Sequence, residues 1–332
     1  MRAVRDYSRF LKRVMGLKTH LFVPKTPQIY SSNRDLPPDP PEKFDQIKSD
    51  FDVVVQYEAG LNSALETTPV DALVALRGFW SEWSDPNPAT AITTFPLTKL
   101  GVHCVFAGNT TYPDGINGCA PASAVISACV PSPAKPLPVV SHIVLLPEPN
   151  ANLCQALDIP DSAFVVGRHG GWETFDVEFV WEAITEALEK RDNLYFLFMN
   201  TNIPERMLKH ARIKVAPATA DKQCVSNFVN SCSIMLHARV QGESFGLACA
   251  EFAYFGKPVL AYAQAPNDAC NHFTMLKDDG LAGYKTQEDL VKLLVNIPHG
   301  ISCPDTRNFV RSSYNPWAVM AAYVKTFVPC YQ

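Results

Sequence analysis

From residue 163 onward, short apolar runs alternate with segments of helical periodicity, and this constrains the fold more than any other feature. Residues 164–166 and 194–199 are almost wholly apolar, and 213–216, 233–236 and 258–262 read as further strands. A strand apolar on both sides must be covered on both sides. Between these strands Val177, Val180, Trp181, Ile184 and Leu188 repeat at helical spacing, with Asp176 as the expected cap. Further helices are expected over 221–230, 245–255 and 286–295. The pattern predicts an α/β fold, a parallel sheet with helices on both faces.

The N-terminal part is less regular. Residues 3–16 carry Val4, Tyr7, Phe10, Leu11 and Val14 on one helical face. Strands are expected near 19–23, 51–57, 73–76 and 101–107, and 123–129 reads as helix or strand. The proline content is high, 27 against 16 glycines, and the excess is local: 24–41 and 131–138 are proline-rich and read as loops. A length of 332 residues favours two domains. The expected divisions are 1–145, 146–310 and a terminal helix over 311–332 that packs back on the first domain.

The net charge of −4 offers no field for a polyanion, so nucleic acid is not an expected partner. No apolar run is long enough to span a membrane. The basic N-terminus lacks the apolar core of a secretory signal. Ten cysteines without CxxC pairs or zinc spacing read as reduced thiols. The expected location is cytoplasmic.

The chemistry concentrates in 233–260, SIMLHARVQGESFGLACAEFAYFGKPVL. A strand runs into a loop and the loop into a helix, and in open parallel sheets ligands bind beyond the strand ends. A helix start offers unpaired N–H groups and a positive dipole end, which suit phosphate. Glu243 precedes the helix and Glu251 lies eight positions later, about 12 Å further along if that stretch is helical. Carboxylates so spaced do not share a proton. They suit the two hydroxyl-bearing ends of an elongated ligand such as a sugar nucleotide.

The Glu243-x7-Glu251 spacing, Ser244-Phe245-Gly246-Leu247 between them, and Gly256-Lys257-Pro258-Val259 after them resemble the retaining GT-B glycosyltransferases of family 4. Val165-Val166-Gly167-Arg168 resembles the first strand and turn of their donor domain. The resemblance covers about 140–300 and implies two Rossmann-like domains with parallel sheets facing across a cleft. It implies hexosyl transfer from a nucleotide diphosphate sugar, UDP- or GDP-linked, to a glycan, lipid or protein acceptor. Configuration would be retained, without metal or further cofactor. Glu251 would hold the ribose, Glu243 the donor sugar, and Arg168 the diphosphate. Gly170 and Gly171, Arg239, Ser244 and the amides of Phe245, Gly246 and Leu247 would complete the phosphate seat. His103 would stand near the reacting sugar.

The chain departs from the family twice. Arg168-His169-Gly170-Gly171-Trp172 lacks the lysine that normally follows the arginine; Arg239 is the expected substitute and His169 a weaker one. The first strand of the N-terminal domain is expected to be missing. A degenerate module that binds a nucleotide sugar or glycan without turnover is the second reading. Asp50-Phe51-Asp52 precedes its strand, so it reads as a strand-entry turn. Gly167–Gly171 is not a dinucleotide fingerprint. Trp80 and Trp83 read as core or as a sugar platform. His237 and His272 read as structural.

Overall fold

The computed structural model describes residues 2–24, 48–57, 61–77, 100–104, 122–130, 137–264 and 270–328. Trp80 and Trp83 lie outside the described residues, as do most of the two proline-rich segments. The chain forms two compact units: Met1–Ile143 with Pro316–Gln332, and Val144–Asn315.

The first unit opens with helix α1 (Arg2–Met15), then strands β1 (His20–Pro24) and β2 (Val53–Tyr57), helix α2 (Leu61–Thr67), and strands β3 (Leu73–Arg77), β4 (Leu100–Cys104) and β5 (Ala122–Val125). β1 pairs with β2, and β3-β4-β5 form a second ladder; every pairing is parallel. The aspartates of the Asp50-Phe51-Asp52 turn tie α1 to the entry of β2. Arg5 and Arg9 donate to the Asp50 carboxylate, and Lys12 lies 3.1 Å from that of Asp52. Asp52 also accepts from the Thr19 amide at 2.7 Å.

The second unit contains β6 (Phe164–Arg168), α3 (Val180–Lys190), β7 (Leu194–Phe198), α4 (Glu205–Leu208), β8 (Ile213–Val215), α5 (Lys222–Asn230) and β9 (Ile234–His237). It continues with α6 (Leu247–Tyr254), β10 (Val259–Tyr262), α7 (Asn271–Met275), β11 (Leu281–Tyr284), α8 (Gln287–Asn296) and α9 (Pro304–Ser313). The spatial order is β8-β7-β6-β9-β10-β11, all parallel. This is the doubly wound order, which reverses direction between its first and fourth strands. Alternation sends Phe164, Val166, Phe196, Phe198, Ile234 and Leu236 into a core with Ile184 and Leu188 of α3 and Leu290 and Leu294 of α8. On the other face, a Cβ at Gly167 would lie 2.3 Å from Cys232 Sγ and 3.0 Å from the Phe252 ring. Glycine there lets α6 pack directly on β6.

Two helices start later than the sequence pattern predicts. α3 begins at Val180 because Asp176 bonds elsewhere: its amide donates to Ala238 O, and its Oδ1 accepts from the Val240 amide, each at 2.9 Å. α6 begins at Leu247 because Gly246 has φ +84°, outside the helical region. α5 and α8 start as expected, capped by Asp221 and by a Thr286–Asp289 capping box. The last helix, α10 (Pro316–Phe327), packs Val319, Met320, Tyr323 and Phe327 against Tyr7 and Leu11 of α1 in the core of the first unit.

Candidate active site

The reversal between β6 and β9 is the topological switch point, where an open α/β sheet leaves a crevice beyond its strand ends. β6 delivers Arg168 and His169 to that edge, and β9 delivers His237 and the loop 238–246.

Glu243 is held from two sides. Its Oε1 lies 3.2 Å from Nε2 of His237, and its Oε2 accepts from Nη1 of Arg239 at 3.1 Å. Burial opposes its charge, but the His237 hydrogen bond and the charges of His237, Arg239 and His272 outweigh it. The pKa falls from 4.5 to about 2. The backbone is strapped as well: Asn271 N donates to Glu243 O at 3.1 Å, and Asn271 Nδ2 to Phe245 O at 2.8 Å. His272 stacks near His237 with ring centroids 4.9 Å apart. It is fully buried, and neither ring nitrogen has a hydrogen-bond partner among the described residues.

The phosphate seat differs in detail from the sequence expectation. Phe245 is a core residue, buried against the Tyr314 ring at 5.1 Å. Ser244 is buried beside it. The first intrahelical bond runs from Ala250 N to Gly246 O, so the first-turn amides of α6 belong to Leu247, Ala248 and Cys249. A Cβ at Gly246 would stand 3.3 Å from the Cβ atoms of both Glu243 and His272, so glycine keeps that corner tight.

Arg168 is in place but engaged. Its Nη1 donates to Asn200 O at 2.8 Å and Thr201 Oγ1 at 2.5 Å, and its Nη2 to Gly171 O at 2.7 Å and Thr174 Oγ1 at 2.9 Å. The four hydrogens of the two terminal nitrogens are thereby used. The side chain thereby staples the 170–174 turn to the loop after β7, and Gly170 and Gly171 wrap it. Burial lowers its pKa to about 10, partly offset by Glu243 and Asp176, so the guanidinium stays charged at neutral pH. No carboxylate among the described residues forms an ion pair with it.

Glu251 is brought to the same edge. Only 3% of it is exposed, and its Oε2 lies 3.2 Å from Nε2 of His169. The loops after β7 and β8 are joined by Asn200, whose Nδ2 donates to Thr219 O at 2.8 Å while its Oδ1 accepts from Thr219 N at 3.0 Å. Asn200 adopts φ +53°, a conformation asparagine tolerates.

His103 belongs to the first unit, fully buried between the rings of Tyr7 and Phe327, with Nε2 2.7 Å from Val140 O. Burial pushes its pKa down to about 4, against the smaller effect of the Val140 hydrogen bond. It is packed as a core histidine of the first unit. Sequence reasoning missed His169 as a partner for Glu251, and it missed His237. One signal was available: both are polar residues at the carboxyl ends of strands that flank a switch point.

Among the described residues no group of three His, Cys, Asp or Glu side chains is arranged to hold a metal ion. No described helix is long and apolar enough to cross a membrane.

The fold has solved counterparts. A glycosyltransferase from Rickettsia africae ESF-5 aligns over 100% of this chain and 94% of its own, with TM-score 0.67 and 12% identity. The fold is that of the GT-B glycosyltransferases. Sucrose-phosphate synthase from Thermosynechococcus elongatus matches over 98% of this chain and 92% of its own, with TM-score 0.67 and 14% identity. Anabaena Alr3699/HepE in complex with UDP and glucose matches over 69% and 72%, with TM-score 0.52 and 13% identity. No protein-family model matches the sequence, and no curated protein matches it.

Proposed function

We propose that the chain is a retaining, metal-independent hexosyltransferase of the family 4 type, using a nucleotide diphosphate sugar as donor. The observation that carries this reading is the convergence at the switch point of an ionised Glu243, the start of α6 at Gly246, and Glu251. Glu243 would accept hydrogen bonds from the donor sugar, and Glu251 from the ribose. The diphosphate would lie against the amides of Leu247, Ala248 and Cys249, where dipoles fixed in advance stabilise the charge of a leaving group. Arg239, which donates to Glu243 on the same loop, would supply the second positive charge, and Arg168 would contribute its charge through space. UDP is favoured as the carrier because Alr3699/HepE is complexed with UDP and glucose.

The test is a thermal-shift screen of UDP-, GDP-, ADP- and dTDP-sugars, followed by transfer assays with the donor that stabilises the protein. Glu243→Ala is expected to abolish transfer without unfolding the chain. Unchanged transfer in that variant would refute the assignment.

A specific feature favours the second reading, a binding module without turnover. The turn after β6 carries no lysine, and the terminal nitrogens of Arg168 are bonded to protein. Saturable nucleotide-sugar binding with neither transfer nor donor hydrolysis would select it.

A further inference from the structure

We propose that the outward faces of α1 and α10, in the first unit, form a docking surface for an anionic lipid bilayer. This surface stands apart from the switch point of the second unit and does not depend on the functional reading above.

α10 is anchored through Val319, Met320, Tyr323 and Phe327, which lie in the core of the first unit. A surface helix ordinarily turns charged residues toward water on its other side. Here Trp317, Ala318 and Ala321 are exposed instead, and Lys325 is the single charged residue of the helix. The Trp317 side chain is 68% exposed. α1 lies alongside α10. Tyr7 meets Tyr323 with ring centroids 5.0 Å apart, and Phe10 meets Trp317 edge-on at 5.2 Å, so the two helices run antiparallel. Val14 follows Phe10 by one turn on the same face and is 48% exposed. Trp317, Phe10 and Val14 therefore make one apolar strip across both helices.

The charges on these two helices are almost all of one sign. Arg13 of α1, Lys18 just beyond it and Lys325 of α10 are exposed. Asp6, the one acid of α1, is 9% exposed and lies 3.8 Å from Arg9. Asp50 and Asp52 face the other side of α1, paired with Arg5, Arg9 and Lys12.

This combination suits a bilayer boundary. An indole has an apolar body and one N–H donor, and it settles at the level of the headgroups. Lysine and arginine lay their stems along apolar surface and keep their charges among the phosphates. Each basic residue held near an anionic leaflet strengthens binding about fivefold. The overall charge of −4 does not cancel that attraction, because salt confines it to about 8 Å. A second copy of the chain fits this face poorly: a twofold contact would set its basic residues against their own counterparts. Both helices are already packed in a core, so docking orders no new segment.

The experiment is co-sedimentation of the full chain with two kinds of vesicle, phosphatidylcholine alone and equal parts phosphatidylcholine and phosphatidylglycerol. Binding to the anionic vesicles is expected to be at least about tenfold tighter, with the advantage shrinking at high salt. Trp317→Ala should weaken binding at least about fivefold, and Arg13→Glu with Lys18→Glu at least about twenty-fivefold. Lys292→Glu, exposed on α8 of the second unit, should change it less than about twofold. Urea midpoints establish that each variant folds, and Val14→Ser is read in place of Trp317→Ala if that variant does not. A Trp317 that serves packing alone would shift the midpoint and leave vesicle binding intact, which overturns the inference. So does equal binding to neutral and anionic vesicles, or binding to neither. A dimer in solution that Trp317→Ala dissociates would assign the face to a second copy and overturn it as well.

Discussion

Nε2 of His237, the last residue of β9, lies 3.2 Å from Oε1 of Glu243 across a loop whose backbone Asn271 holds from the other side. The contact fixes a charged carboxylate at the strand end before any ligand arrives. Because the pKa of Glu243 is depressed from 4.5 to about 2, its ionised form is bound more favourably in the native state. The resulting stability is present above pH 4.5 and is lost as pH falls toward 2; its upper limit is about 3 kcal/mol. Glu243→Gln should flatten that part of the stability curve, measured as the wild-type-minus-variant difference in urea midpoint between pH 5 and 2.5. The same variant should retain nucleotide binding while transfer falls at least about a hundredfold.

His272 and His103 act in the neighbouring pH range. Burial depresses both, from 6.5 to about 3 and about 4 respectively. The unfolded chain takes up protons that the native state refuses, so stability falls as pH drops from 6.5 toward those values, by up to about 1.4 kcal/mol per pH unit for each histidine. His272→Phe is expected to reduce the slope between pH 6.5 and 4. An unchanged slope in denaturation titrations would mean that His272 accepts its proton in the native state.

Arg168→Lys keeps the charge and loses the fork. A single ammonium cannot serve acceptors at Asn200, Thr201, Gly171 and Thr174 together. A loss of about 3 kcal/mol is expected, visible as a lower urea midpoint with an unchanged slope. Nucleotide affinity should also fall, because the 170–174 turn is released.

Gly246→Ala combines strain with crowding. At φ +84° a side chain is disfavoured, and its Cβ would press on Glu243 and His272 at 3.3 Å. Destabilisation of about 2 kcal/mol is expected, with a larger fractional loss of transfer than Asn200→Ala, which lies farther along the sheet edge.

Asn200→Ala removes both hydrogen bonds to Thr219 and leaves alanine at φ +53°. A stability loss of about 2 kcal/mol is expected. If the 200–203 and 216–220 loops carry the nucleotide base, its affinity ranking across UDP, GDP and ADP should narrow; an unchanged ranking places the base elsewhere.

The parallel sheet of the second unit was legible in the chain, because strands covered on both faces must be apolar throughout and their helices must carry one apolar stripe. The Asp221 cap and the helix from 286 were legible for a local reason: a cap is satisfied within three or four residues. So was the loop bearing Glu243, since a strand, a glycine turn and a helix follow in sequence. Tertiary structure alone decided the partners. Asp176 left its expected capping role for Val240, 64 residues away, and the terminal nitrogens of Arg168 met carbonyls and hydroxyls of two loops. His103 went into a core, and His169 met Glu251 because Gly167 lets α6 sit on β6. Periodicity and capping are short-range properties of a chain, whereas the pairing of buried polar groups depends on which strand ends the winding of the sheet brings together.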